Sequence, residues 1–220
     1  IIVGSGTTAN EVMFGQIKAI FPKQLGLIVS NGEFGERLIQ QARYWELSFV
    51  DKTYDWGAPF NLAEIEAMFI ENEIKWLTIV HGETSTGTLN PLHDLIQLCK
   101  KYDVKICVDC ISSFGTYPFS LKEVFCATAV SGKAIGALGG LSFVFYNDEP
   151  DAMEAIPSYV NLATYHKYMP FTVPVYLLAN TLVALEQYPT RFKVLQDRLQ
   201  LILDSPIYLQ YGLQTSHYPI

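Results

Sequence analysis

Most of the chemistry that this sequence can support starts from Lys133. It stands in AVSGKAIGALGG, a run of small residues directly before the apolar stretch LSFVF. An amine between two buried strands is costly unless it is paired, neutralised or covalently used. Ser131, Gly132, Ala134 and Gly136 leave room for a ligand beside it, and a partly desolvated lysine is a nucleophile that binds carbonyls as a Schiff base. The plainer alternative is a surface lysine, its stem packed on the sheet and its head in water. Asp109 ends the apolar run KICVD, 24 residues earlier. A carboxylate at that place accepts hydrogen bonds, faces a cation, or becomes neutral. It either caps the following turn through Ser112 or Ser113 or partners a protonated ring nitrogen. The separation from Lys133 fits a strand, a connection and the next strand, so the two can face one pocket.

Two strand-to-helix turns add further groups. IIVGSGTTANEVMF reads as a strand, a glycine-rich turn and a helix start, which together form an anion site from backbone N–H groups and the helix dipole. The letters GSGTTA also fit the loose dinucleotide pattern GxGxxA, but the next strand ends in Ser30-Asn31 where an acid is expected, and no GK[ST] follows. HGETSTGTLNPL carries Thr84, Ser85, Thr86 and Thr88, either a solvated turn or a loop contacting a phosphate or an aromatic ring. A phosphate for the first turn, a flat ring, a ring nitrogen for Asp109 and an aldehyde for Lys133 are all found in pyridoxal 5′-phosphate.

The elements that must position these groups alternate. Continuously apolar, β-rich runs occur at 25–30, 76–80, 105–109, 126–130 and 141–146, and amphipathic stretches of helical length at 8–20, 35–47, 62–73 and 91–102. This is the pattern of an α/β protein with a largely parallel, doubly covered sheet. Thr8-Ala9-Asn10-Glu11 reads as a capping box and Asn90-Pro91 as an N-cap followed by proline at the first helical position. Both helix starts are therefore expected at the carboxyl edge of the sheet, where such folds bind ligands. Near 147–150 the pattern changes, giving residues 1–150 as a cofactor-binding core and 151–220 as a linker, a long helix and the start of a C-terminal region.

Composition narrows the classes. Fifteen Lys and Arg against 22 Asp and Glu give a net charge of −7, and no basic stripe is present, so nucleic acid is not an expected partner. PFTVPVYLLANTLVALEQY is too short to span a bilayer and reads as a buried or interfacial helix. The sequence opens without Met or a signal-like segment and reads as part of something longer. Four cysteines make no disulfide framework and suit a reducing, cytoplasmic setting. Cys107 and Cys110 form a CxxC on one strand, where positions three apart face opposite ways, so no metal site is expected.

The ordered series GSGT, NGEFGER, HGETSTGTLNPL, VDCISSFG and SGKAIGALGG resembles the class V branch of fold-type I pyridoxal-phosphate aminotransferases, near the alanine:glyoxylate, serine:pyruvate and 2-aminoethylphosphonate:pyruvate transaminases. The resemblance implies an aspartate aminotransferase-like large domain, a mainly parallel sheet between helices, with the small C-terminal domain largely absent. It implies transfer of an amino group from a small amino acid or aminoalkylphosphonate to a 2-keto acid such as pyruvate or glyoxylate. It also implies that Ser5, Gly6 and Thr7 bind the phosphate, Phe34 stacks on the ring, Thr84 sits near the phenolic oxygen, and Asp109 partners the ring nitrogen. Ile111 then contacts the other ring face, Lys133 forms the Schiff base, and Thr172 reaches the neighbouring subunit's phosphate in a homodimer with composite sites; Ser131, beside the lysine, is counted with the cofactor-binding residues. Gly132 stands where relatives carry Gln or Asn, and Arg191 and Arg198 read as solvent-facing helix positions. Competing expectations are a pyridoxal-phosphate lyase or desulfurase, an NAD-dependent oxidoreductase using GSGTTA, and a non-catalytic dimeric relative. A desulfurase needs a cysteine on a mobile loop, and Cys126 falls in an expected strand.

Overall fold

The computed structural model describes residues 1–150, 156–168 and 171–206. In chain order the elements are β1 (Ile2–Val3), α1 (Gly6–Ile20), β2 (Gly26–Ser30), α2 (Glu33–Tyr44), β3 (Phe49–Thr53), α3 (Leu62–Glu71), β4 (Trp76–Val80), β5 (Gly82–Glu83), β6 (Thr88–Leu89), α4 (Leu92–Lys101), β7 (Lys105–Asp109), β8 (Cys126–Val130), β9 (Leu141–Tyr146), α5 (Leu162–Lys167) and α6 (Val175–Leu203). The main sheet has the order β1-β9-β8-β7-β4-β2-β3. Strands β3, β2, β4, β7 and β8 are parallel neighbours, whereas β9 is antiparallel to both β8 and β1. It is the largely parallel, doubly covered α/β sheet expected from the alternating pattern.

The strands are apolar throughout because both faces are covered. Leu27, Val29, Leu77, Ile79, Ile106 and Val108 face one way and pack with Ile65 and Phe69 of α3 and Leu95 and Ile96 of α4. Ile28, Trp76, Val80 and Cys107 face the other way, against Met13, Phe14 and Ile17 of α1 and Leu38 and Ile39 of α2. Cys107 and Cys110 accordingly lie in different cores, Cys110 with Cys99 and Cys107 with Cys126. Burial pushes all four free thiols well above the usual range.

Three local expectations change. The capping box is not used: α1 begins at Gly6 with Ser5 as its N-cap, and Glu11 instead accepts from Gln41 at 2.6 Å and from the Trp45 indole. Asn90 does not cap α4, whose N-cap is Pro91, because its amide is spent on Val80 O and Asn31. Of the two readings of the late apolar helix, buried or interfacial, burial within the chain does not hold: only Leu177, Thr181 and Ala184 of α6 are buried, while Val175, Tyr176, Leu182 and Val183 are exposed. Among the described residues no helix is long and apolar enough to cross a membrane.

β2 and β4 approach so closely at one end that a Cβ on Gly26 would lie 1.9 Å from Trp76 Cε2. Gly26→Ala should therefore destabilise the fold by about 1–3 kcal/mol through overpacking, read as a lowered urea midpoint at unchanged slope.

Candidate functional site

A cavity of about 340 Å³ opens at the carboxyl edge of the parallel strands. Its walls come from the first turn of α1 (Gly6, Thr7, Asn10), the start of α2 (Phe34, Arg37), Gly82 just beyond β4, Asp109 at the end of β7 with Ile111 and Ser112, and Lys133 beyond β8. The sequence groups so far apart meet here because every parallel strand ends at the same edge, as the doubly wound architecture requires. A Cβ on Gly6 would come within 2.4 Å of Ile111 Cδ1, so only glycine lets the α1 turn close on the residues after β7.

Asp109 is 4% exposed. Asn10 Nδ2 donates to its Oδ2 at 2.8 Å, and the Ile111 N–H donates to its Oδ1 at 2.9 Å. The Asn10 amide is itself oriented by Thr128, whose hydroxyl donates to Asn10 Oδ1 at 2.8 Å. Burial raises the Asp109 carboxyl to about 6, with the Asn10 and Ile111 donors and Lys133 pulling down and the Glu83 charge pushing up. The turn capped by Asp109 is thus closed through Ile111, not through Ser112 or Ser113.

Lys133 is exposed, on the loop at 131–140 that joins β8 to β9, so its amine is not held between buried strands as its position in the sequence suggests. The loop is tied at its base by Ser131, whose hydroxyl donates to Leu138 O at 2.7 Å, and to the α1 turn by Gly4 N donating to Gly140 O at 2.9 Å. Gly132 has a local reason: a Cβ there would meet Gly139 Cα at 2.9 Å, where the loop returns. Arg191 is not solvent-facing. Its guanidinium donates to Ile135 O at 2.5 Å and to Ala184 O, which places it against the lysine loop, whereas Arg198 is exposed.

Of the residues singled out from sequence, the cavity brings together Gly6, Thr7, Phe34, Asp109, Ile111 and Lys133. Ser5 is the exposed N-cap one residue outside it, Thr84 lies off the lining, Ser131 is buried in the loop base, and Thr172 is exposed before α6. Sequence reasoning passed over Asn10, Arg37 and Glu83. Glu83 is fully buried, accepting from the N–H groups of Phe34 and Gly35 at 3.1 Å and from the Ser85 hydroxyl at 2.6 Å. Its carboxylate thereby caps α2 and sets the stance of Phe34. The signal was close to the one used for Asp109: an acid within three residues of the end of an apolar strand. The GSGTTA turn belongs to no dinucleotide unit, because β1 lies at the sheet edge, five positions from β2, and the βα unit it opens does not continue into a neighbouring parallel strand. A larger cavity of about 450 Å³, lined by His81, His93 and Tyr117 among others, contains neither Lys133 nor Asp109.

The donor set fits pyridoxal phosphate: the uncapped N-terminus of α1 for an anion, an aromatic face at Phe34, a buried carboxylate in no ion pair among the described residues, and a lysine on a loop that opens into the same cavity.

Comparison with known proteins places these observations. The chain matches the family described as Aminotransferase class-V over residues 4–158. It is 30% identical over 221 aligned residues to a 2-aminoethylphosphonate–pyruvate transaminase of Pseudomonas putida (strain W619), covering 91% of this chain and 59% of that protein. It is 34% identical over 152 residues to the transaminase of the same name from Bacillus mycoides (strain KBAB4), covering 67% of this chain and 40% of the relative. The fold superposes on an alanine–glyoxylate aminotransferase from Nostoc sp. with a TM-score of 0.84 at 24% identity, over 97% of this chain and 60% of that one. The chain thus spans well under two thirds of the length of each.

The raised Asp109 carboxyl has a consequence for stability. Its folded value, about 6, lies above the ordinary 3.8, so the native state holds this proton more tightly than the unfolded chain does. The contribution is fully present below pH 3.8 and is lost as pH rises through about 6, a change of about 3 kcal/mol in the cofactor-free protein. Asp109→Asn cannot ionise, so denaturation of both proteins between pH 4 and 7 should show the variant gaining on the parent by an amount of this order. Parallel curves would show that Asp109 titrates normally.

Proposed function

Because the chain belongs to the class-V aminotransferase family, we propose that it carries the core of a pyridoxal-phosphate-dependent transaminase. The reaction we assign moves an amino group from a small amino acid or an aminoalkylphosphonate to a 2-keto acid such as pyruvate or glyoxylate. The observation that carries this reading is the convergence of Lys133, Asp109, Phe34 and the α1 N-terminus on one cavity. Relatives named 2-aminoethylphosphonate–pyruvate transaminase support the phosphonate option.

When bound, pyridoxal phosphate supplies an aldehyde for the incoming amine and a protonated ring that draws electrons from the substrate carbon. The chain's residues do the rest. The N–H groups of the α1 first turn, at Gly6 and Thr7, hold the phosphate with the hydroxyl of Ser5 beside them. Phe34 and Ile111 would confine the ring, and Thr84, although off the lining, is the hydroxyl we assign to its phenolic oxygen. Asp109 holds the ring-nitrogen proton, and a cation there returns its carboxyl toward the ordinary range, so that it is ionised at neutral pH. Lys133 would hold the cofactor's aldehyde through its Nζ and, with that amine free, would act as the base toward the amino-bearing carbon of the substrate. Ser131 acts at one remove, by closing the loop that carries Lys133.

Thr172, exposed ahead of α6, suits a contact with a second copy in a homodimer with composite sites. Four free, buried cysteines suit a reducing, cytoplasmic compartment. They also weigh against a desulfurase, since none of them lines the cavity.

The reading is tested by visible absorption of the protein with pyridoxal phosphate before and after L-alanine, L-serine or 2-aminoethylphosphonate. A bound-cofactor band that one of these amines converts to the pyridoxamine form establishes the half-reaction. Lys133→Ala should lose the band and on the order of 10³-fold in turnover, with thermal stability unchanged because Lys133 is exposed. Full turnover in that variant would refute the assignment.

A further inference from the structure

α6 carries a set of polar side chains along its length that do not face solvent. Asn180 Oδ1 accepts from Leu138 N at 2.7 Å, Tyr188 OH donates to Gly115 O at 3.0 Å, and Gln196 Nε2 donates to Thr116 O at 3.0 Å. One helix therefore grips both loops that frame the cavity: the loop after β7, which follows Asp109, and the loop that bears Lys133.

Arg191 makes the densest of these contacts. Its Nη2 donates to Ile135 O, its Nη1 reaches Gly136 O at 3.5 Å, and Nη2 also reaches back to Ala184 O on its own helix. No carboxylate is involved, and Nε is buried without a partner, so this guanidinium is committed to carbonyl dipoles. Pro189 lies inside α6 and has no N–H to donate to the carbonyl four residues earlier, which breaks the backbone ladder beside the turn from which Arg191 reaches. Gly136, the residue gripped, has φ +72°, where side chains are strained, and a Cβ there would sit 2.0 Å from Arg191 Nη1. Its N–H closes a turn onto Lys133 O at 2.8 Å. The guanidinium thus holds the turn in which Lys133 is the first residue.

We propose that Arg191 is the positioning residue of Lys133: by holding the Ile135 and Gly136 carbonyls it fixes the turn that aims the amine at the cavity shared with Asp109. The role of Lys133 rests on the transaminase reading, but the clamp itself does not. A lysine on a loop exposed to water has many rotamers, and catalysis that depends on one placement suffers about 10²-fold from a displacement near 1 Å. Fixing the main chain that follows the amine, in the turn closed onto Lys133 O, restricts those placements without burying the amine.

The test compares the protein with Arg191→Met, which keeps the stem and removes the donors, with Arg191→Lys, which restores a charge without the fork, and with Gln196→Leu. The last frees a carbonyl of the other loop and controls for general loosening of α6. Two quantities are read. Hydrogen exchange of the cofactor-free protein follows the amides of Gly136, Ala137 and Leu138, each bonded in the structure. Reductive trapping with pyridoxal phosphate and cyanoborohydride, mapped by mass spectrometry, gives the preference for Lys133 over the other lysines. Arg191→Met should speed exchange at these amides and lower the Lys133 preference by about tenfold or more, with Arg191→Lys intermediate and Gln196→Leu near the parent. Unchanged preference in Arg191→Met overturns the proposal, whether or not exchange accelerates. So does an equal loss in Gln196→Leu. If the parent protein shows no preference for Lys133, the cofactor reading fails by itself, and exchange in Arg191→Met alone decides the clamp.

Discussion

A carboxylate buried at the end of a central strand is the constraint around which this molecule is arranged. Asp109 sits where three parallel strands and one crossing helix meet, and its two oxygens are satisfied by two donors from different parts of the chain. One is a neighbouring backbone N–H, which costs nothing to bring near. The other is Asn10, 99 residues away, which requires α1 to lie across β8 and β9 with a rotation that points Asn10 at the end of β7, and Thr128 locks that amide's orientation. Rotation of α1 in turn fixes where its N-terminal turn opens. The anion site, the acid and the lysine loop are therefore consequences of one helix placement, reinforced where Gly4 bonds Gly140. Even so, the two donors leave the acid only partly compensated, which is why burial still dominates its titration.

The central architecture was legible because doubly covered strands write themselves as continuous apolar runs, and β2, β4, β7, β8 and β9 fall within a residue of the runs read from sequence. β3 was not seen. Its residues, FVDKT, form an edge strand with no fully buried position, and so carry little apolar signal. The helix starts were misread for a shared reason. Asn10, Glu11 and Asn90 have the residue types of caps, but each is drawn into a tertiary hydrogen bond that a local pattern does not encode. Lys133 and Asp109 were legible as chemistry, since small residues around a lysine and an acid at a strand end are each costly without a use. The exposure of Lys133 was not, because whether a loop leaves the sheet or folds back on it depends on partners elsewhere, here Asn180 and Arg191 on α6. Arg191 itself looked like one of two arginines spaced along a polar helix face, and only the fold separates it from Arg198.

Glu83 is the counterpart of Asp109 behind the start of α2. Both are buried acids at strand ends, yet one is fully occupied by the α2 N-terminus and Ser85 while the other faces the cavity. The first serves to seat Phe34 and the second is left with capacity for a ligand. Their mutual repulsion, one of the influences raising the Asp109 carboxyl, links the helix cap to the reactive acid through space.

The division of the four thiols between the two faces of the sheet gives the protein an internal record of its own opening. Cys99, on the buried side of α4, and Cys110 are sealed in the layer of α3 and α4, and Cys107 and Cys126 beneath α1 and α2. Buried and held in the protonated form, all are silent toward electrophiles while the layers stay closed. The order in which they become alkylated therefore tells which helical layer lifts from the sheet first, with no label added to the chain.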